Sequence, residues 1–186
     1  MQQENLQTAE ELQSYFVRRM EKFIHSKNKK LIGWDEILEG GLPERATVMS
    51  WRGVEGGIEA ANAGHDVVMS PGDPLYLDHS QGKSEYEPPS WGGYNNVLKI
   101  YDFNPVPKDI APDKKHHILG AQANLWTEQV KSLSHIQYMM LPRISALSEA
   151  IWTKAEKRNR EYFINKLDVH FDRLYEKGYN YSGSSL

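Results

Sequence analysis

The alternation of apolar and polar positions divides the chain into short elements. From Thr8 to Ser26 the apolar residues recur at helical spacing: Leu12, Phe16, Met20, then Phe23 or Ile24. Thr8 followed by Glu11 has the form of a capping box, in which a hydroxyl and a carboxylate satisfy free N–H groups of the first turn. An amphipathic helix is predicted there, with its apolar stripe packed on a sheet. Lys29–Trp34 (KKLIGW), Ala46–Trp51 (ATVMSW) and Asp66–Ser70 (DVVMS) are short apolar runs suited to buried parallel strands. Between the first two, Ile37–Leu42 holds only a turn or so of helix before Pro43, a minimal crossover. Val54, Ile58 and Ala61, closed by Gly64, predict a short helix over Gly53–Gly64.

Pro71–Lys115 is rich in proline and aromatic residues and predicts a long loop, with a local helix or strand over Val97–Phe103. So long a loop in a compact domain is usually functional. His117–Trp126 is predicted as the fourth strand; its last part opens the stretch Gly120–Glu128 (GAQANLWTE), which ends in an aromatic, a hydroxyl and an acid. Ser132–Trp152 comes next as a long helix kinked where Pro142 removes a backbone donor, and Arg160–Lys177 as a last amphipathic helix. Strand, connection, strand, helix, strand, loop, strand, helix is the rhythm of a parallel α/β fold. Four strands fall short of a (β/α)8 barrel, which takes about 250 residues. A small open sheet would normally show GxGxxG or GxxxxGK after its first strand, and the sequence has neither. The fold expected is α/β: a parallel β/α half barrel, about the last four strands of a TIM-type barrel, over residues 1–178, with a polar tail over 179–186.

Composition narrows the function. The chain is 39% hydrophobic and 25% charged; no stretch approaches the roughly 18–20 apolar residues that span a bilayer, so no membrane partner is expected. A net charge of −3 without a long basic run leaves no footprint for nucleic acid, and Lys27–Lys30 reads as a solvated helix end. The absence of cysteine removes disulfides, thiolate nucleophiles and cysteine metal sites, and no cofactor is expected. The opening MQQENLQTAEEL lacks the basic start and apolar core of a secretion signal. Five Trp and ten Tyr suit flat, partly apolar ligands such as sugar rings.

In such barrels the active site lies at the carboxyl ends of the strands. Trp34, Trp51 and Trp126 are expected there on three strands, as an apolar box for a sugar face or a methyl group, since core packing gives no reason for one residue type at each strand end. Tyr76 and Asp78, two residues apart on an extended segment, face the same way, so that a hydroxyl donates and a carboxylate accepts. The alternative is a tyrosine packed on the rim with Asp78 as a helix cap. His79 reads as a structural hydrogen-bonding residue, because no second histidine or acid stands at metal-ligand spacing; His116-His117 falls at the opposite rim. Asp35-Glu36 offers the paired carboxylates that glycoside hydrolysis uses, and equally a solvated charge pair or helix cap. Glu128, two residues past Trp126, is the better placed acid.

The runs Leu31-Ile32-Gly33-Trp34-Asp35-Glu36, Met49-Ser50-Trp51-Arg52-Gly53, Tyr76-Leu77-Asp78, Asn124-Leu125-Trp126-Thr127-Glu128 and Pro142-Arg143 with Ala146, Glu149 and Trp152 together resemble the carboxyl half of the β-N-acetylhexosaminidases of glycoside hydrolase family 20. The resemblance implies a retaining, substrate-assisted mechanism in which the 2-acetamido oxygen attacks the anomeric carbon. It further implies that Trp34, Trp51 and Trp126 wall the N-acetyl pocket, and that Tyr76 donates to the acetamido oxygen. Asp78 and Glu128 would bind sugar hydroxyls or orient neighbours, and Trp91 would meet the next sugar outward. The family's general acid stands in a His-x-Gly-Gly-Asp-Glu type motif on an earlier strand. That motif is missing here, and Asp35-Glu36 follows the wrong strand to replace it. The resemblance therefore implies N-acetylhexosamine glycans as ligands and, as protein partner, the missing amino-terminal half or a second copy. The competing reading is a non-catalytic carbohydrate-binding or structural half barrel.

Overall fold

The computed structural model describes residues 1–82, 85 and 87–183. Strands β1 (Ile32–Trp34), β2 (Thr47–Ser50), β3 (Val67–Met69) and β4 (Ile118–Ala121) form one sheet in that order, every neighbouring pair parallel. The helices are α1 (Ala9–Ser26), α2 (Glu55–Asn62), the single turn α3 (Gly72–Leu75), α4 (Val97–Tyr101), α5 (Leu133–Met140), α6 (Arg143–Trp152) and α7 (Arg160–Glu176). The chain divides into two compact units, Met1–Pro71 with Val106–Ala121, and Gly72–Pro105 with Gln122–Leu186.

The first unit holds the whole sheet. Paired residues of parallel strands share a face, so the register places Val48, Val67 and Ile118 together. Val48, Val67 and Met69 are fully buried on that side, as are Ala60 and Ala61 of α2; each full burial of a large apolar side chain stabilises by about 1.5–3 kcal/mol. Ser50 starts α2: its Oγ accepts from Gly57 N at 2.9 Å and donates to Gly53 O at 2.8 Å. The other face carries Ile32 opposite Thr47 and Met49 opposite Val68, and Ile32 is 56% exposed.

The β3–β4 pairing slips by one residue. Val67 faces Ile118 and Val68 faces Gly120, which leaves Leu119 as a bulge, 60% exposed. Gly120 comes next at φ +148°, open to glycine and rarely to other residues. The bulge bends the strand, and β4 stops at Ala121. The expected strand to Trp126 is thus too long by five residues.

α1 also departs from expectation. Thr8 Oγ1 accepts from Glu11 N at 3.2 Å, as a capping box requires, and Glu11 Oε2 accepts from Gln7 N at 2.6 Å, one residue before the cap. Its apolar stripe, however, is not packed on the sheet: Phe16 is 59% and Phe23 60% exposed. The helix rests by its polar side on the connection after β1, where Ser14 Oγ donates to Gly41 O at 2.5 Å and Gln13 Nε2 to Glu36 O at 2.8 Å. Gly40, at φ +73°, lets this approach happen, because a Cβ there would lie 2.2 Å from Glu10 O.

The second unit is helical. Leu75, Leu77, Val97, Ile100, Met139 and Leu167 are buried in it, and Tyr101 stacks on Phe163 with ring centroids 4.4 Å apart. The helix predicted over 132–152 is two helices, not one kinked rod. The residue before a proline is driven out of the helical region, and Leu141 is extended at φ −101°, ψ 132°. Val97–Tyr101, left open as helix or strand, is a helix capped by Asn96 Oδ1, which accepts from Lys99 N at 2.9 Å. Of the tail, Tyr181 stacks on Phe171 at 5.1 Å and Ser182 N donates to Leu141 O at 3.1 Å; 184–186 lie outside the described residues.

Candidate active site

In the first unit the candidate residues stand where β1 and β2 end. Trp34 is the last residue of β1 and Trp51 directly follows β2. A turn of 3-10 helix, Asp35–Leu38, comes between. Asp35 is buried, and its Oδ2 accepts from the backbone N–H groups of Trp51 at 3.0 Å and Arg52 at 3.2 Å, while Oδ1 accepts from Arg52 Nε at 2.6 Å. Arg52 Nη1 also donates to Glu39 Oε1 at 2.6 Å. Glu39 and Asp35 together hold the guanidinium in its charged form, raising its pKa. Glu36 Oε2 accepts from the indole Nε1–H of Trp51 at 3.0 Å. Asp35-Glu36, tempting as a catalytic pair, is thus bound to the Trp51-Arg52 segment through both carboxylates.

In the second unit the chain after β4 returns to Tyr76. Leu77 N donates to Asn124 O at 2.7 Å and Asn124 N to Leu75 O at 3.1 Å, an isolated parallel bridge. The bridge brings Trp126 beside Tyr76, with ring centroids 6.2 Å apart and planes at 62°. This edge-to-face contact favours the aromatic quadrupoles. Asp78 is buried, and its Oδ1 has no hydrogen-bond partner among the described residues. Burial pushes its pKa up, against the pull of its own backbone N–H, of His79 and of the Trp126 N–H, with Glu128 adding to the rise. Trp91 N donates to Asp78 O at 3.0 Å, and the Trp91 side chain is exposed, as is that of Glu128.

His79 keeps a structural role. Its ring lies 5.9 Å from that of Tyr76, and Asn95 Nδ2 stands 3.0 Å from Nδ1. Burial holds the His79 pKa below its ordinary value. Asn95 Nδ2 also reaches Gly72 O at 2.8 Å and Tyr76 O at 3.0 Å, so one amide gathers the segment before and after the tyrosine.

Arg143, the first residue of α6, is fully buried. Its Nε donates to Met139 O at 2.9 Å, Nη1 to His79 O at 2.9 Å and Asn95 O at 3.0 Å, and Nη2 to Leu77 O and Met139 O. Burial lowers its pKa to about 10, so it remains a cation at neutral pH. Asn95 and Arg143 therefore fix the backbone that carries Tyr76 and Asp78. Sequence reasoning assigned neither a role. The signals for Arg143 were its place in the Pro142-Arg143 run that resembles the family and its helical spacing from the apolar Ala146 and Leu147, which puts it on the buried side of its helix. Among the described residues no group of three His, Cys, Asp or Glu is placed to hold a metal ion, and no helix is long and apolar enough to cross a membrane.

These sites can be set beside known proteins. Residues 1–155 match the model of glycosyl hydrolase family 20, catalytic domain. A β-hexosaminidase of Porphyromonas gingivalis is 48% identical over 182 residues, 97% of this chain and 23% of that protein. One of Vibrio furnissii is 33% identical over 151 residues, 80% of this chain and 25% of that protein. Among solved structures, a GH20 exo-β-N-acetylglucosaminidase of Vibrio harveyi in complex with N-acetylglucosamine superimposes with a TM-score of 0.89 at 31% identity, covering 99% of this chain and 29% of that one. The Streptomyces plicatus N-acetyl-β-hexosaminidase gives 0.81 at 25% identity over 92% of this chain and 36% of that one. The chain thus spans about a quarter of the length of these curated relatives. With that match over residues 1–155, 48% identity over nearly its whole length and four parallel strands in one sheet, the chain belongs to glycosyl hydrolase family 20 and covers part of that family's catalytic domain.

Proposed function

We propose that this chain serves the hydrolysis of terminal β-linked N-acetylglucosamine or N-acetylgalactosamine, by contributing groups that hold the sugar and its acetamide. The observation that carries this reading is the buried Asp78 Oδ1, which has no protein donor among the described residues, in the unit where Tyr76 and Trp126 pack edge to face. A buried carboxylate oxygen without a donor is costly, and a ligand hydroxyl supplies one. Tyr76 donates its O–H to the acetamido oxygen and so fixes the atom that attacks the anomeric carbon. Trp34, Trp51 and Trp126 offer apolar surface to the N-acetyl group and sugar face, Asp78 and Glu128 accept from sugar hydroxyls, and Trp91 meets the next sugar. Breaking the glycosidic bond also needs a proton on the leaving oxygen. No His-x-Gly-Gly-Asp-Glu motif stands in these 186 residues to give it. Binding is therefore assigned to this chain, and proton donation to the amino-terminal half of the barrel, its protein partner; a second copy is the alternative partner.

The test is titration of the purified chain with the thiazoline of N-acetylglucosamine, alongside an assay with a nitrophenyl N-acetylglucosaminide. The thiazoline is expected to bind, Tyr76→Phe to weaken it about tenfold through loss of one hydrogen bond, and Trp126→Ala to weaken it further. No turnover is expected. Wild-type affinity in Tyr76→Phe would remove the assignment of the acetamide donor, and measurable turnover would remove the division of labour.

A further inference from the structure

The sequence offered Asp35 and Glu36 as a possible acid and base. We infer from the geometry that both are positioning residues for Trp51: Asp35 fixes its backbone and Glu36 fixes the rotation of its ring. This rests on the reading of Trp51 as an apolar surface for the sugar's acetamide.

An indole at a strand end, partly exposed as Trp51 is, can turn about two side-chain bonds unless something holds its rim. Its one polar handle is Nε1–H. Glu36 Oε2 meets it at 3.0 Å, and a bond to a carboxylate is roughly twice as strong as one between neutral groups. Such a bond fixes a ring only if the residue bearing the acceptor is itself held, and three residues, Gln13, Asp35 and Arg52, hold the turn that carries Glu36. Gln13 of α1 donates to the Glu36 carbonyl at 2.8 Å. Asp35, next to Glu36, binds the Trp51 and Arg52 N–H groups at 3.0 and 3.2 Å. Arg52 then bridges Asp35 and Glu39, each at 2.6 Å, across both ends of the turn. Backbone and ring of one tryptophan are therefore held by adjacent side chains of a turn braced by a helix. An apolar wall set before the ligand arrives loses less freedom on binding.

The test uses the chain labelled with nitrogen-15, whose five tryptophans give five indole N–H signals. Trp51→Phe identifies the signal in question. In Glu36→Ala that N–H is expected to exchange with water about tenfold faster and thiazoline binding to weaken several-fold. Glu36→Gln, which keeps an acceptor oxygen, restores most of both, and Gln13→Ala moves exchange in the same direction by less. Backbone signals away from the turn report that each variant is folded. Unchanged exchange of the Trp51 indole in folded Glu36→Ala overturns the inference, as does faster exchange with undiminished thiazoline affinity. Failure of the wild-type chain to bind thiazoline overturns the pocket reading instead, and the exchange comparison still decides whether Glu36 holds the ring.

Discussion

The half-buried His79 ring, beside Asn95 and between the Asp78 carboxylate and the Arg143 cation, couples this region to pH. Burial keeps the folded His79 pKa below the unfolded value, so between the two the unfolded chain binds more protons. Stability is then full above the ordinary imidazole range and falls as pH drops toward the depressed value. His170, also lowered by burial and by Arg173, acts in the same direction. Asp78 acts oppositely: its raised pKa gives a contribution present below the ordinary carboxylate range and lost as pH rises through the raised value. We expect the urea midpoint of the chain to fall between about pH 7.5 and about pH 5.5, and His79→Asn to flatten that fall in part. Equal slopes in the two proteins would show that His79 is not the group responsible. Residue types were legible in the sequence here and their partners were not. His79 could be read as structural because no ligand partner stood near it in sequence, but the amide beside its ring lies 16 positions away.

Among the elements, α1 separates what periodicity tells from what it cannot. The spacing of Leu12, Phe16 and Met20 found the helix and its cap; which surface the stripe meets depends on atoms outside the helix. Within this chain the helix is held by Ser14, Gln13 and the close pass at Gly40. Gly40→Ala is therefore expected to destabilise by at least about 1–2 kcal/mol, the cost of a left-handed residue bearing a Cβ, with the clash on Glu10 O added. Phe16→Gln, at an exposed position of the stripe, should stay within about 0.5 kcal/mol. Denaturant melts of the two variants check the ranking, and the reverse order would mean that the stripe is covered in solution. β4 makes a related point: nothing in GAQANLWTE but Gly120 warned that the strand would bulge and stop before its tryptophan.

For the molecule as a whole, the parallel rhythm was readable because each short apolar run is bounded by glycine, proline or charge, and the strands fall inside the predicted runs. The stretch between β3 and β4 was readable as a long loop with a local helix or strand over Val97–Phe103, and no further. Its order comes from a bridge, an amide and a guanidinium that meet across dozens of residues. In the four-stranded sheet β1 and β4 are edges, and they expose Ile32 and Leu119. Unpaired parallel edges bearing exposed aliphatic residues recruit other strands. Light scattering should therefore give an apparent mass above the 21.4 kDa of one chain, rising with concentration, and Ile32→Lys with Leu119→Lys should lower it. A monodisperse monomer at all concentrations would contradict this.

Arg143 binds the carbonyls of His79 and Asn95, the two residues on either side of the segment 80–94. The same root is closed again by the Ser80–Tyr94 bridge and by Asn95 N donating to Ser80 O at 2.8 Å. An excursion pinned at its base in this way is modular. Because the entropy of closing a loop grows only slowly with its length, a change of length between those two anchors is expected to cost little in closure itself. What such a change of length would disturb are the ties made from inside the segment, among them Trp91 N to Asp78 O at 3.0 Å and Gln81 Nε2 to Tyr138 O at 2.5 Å.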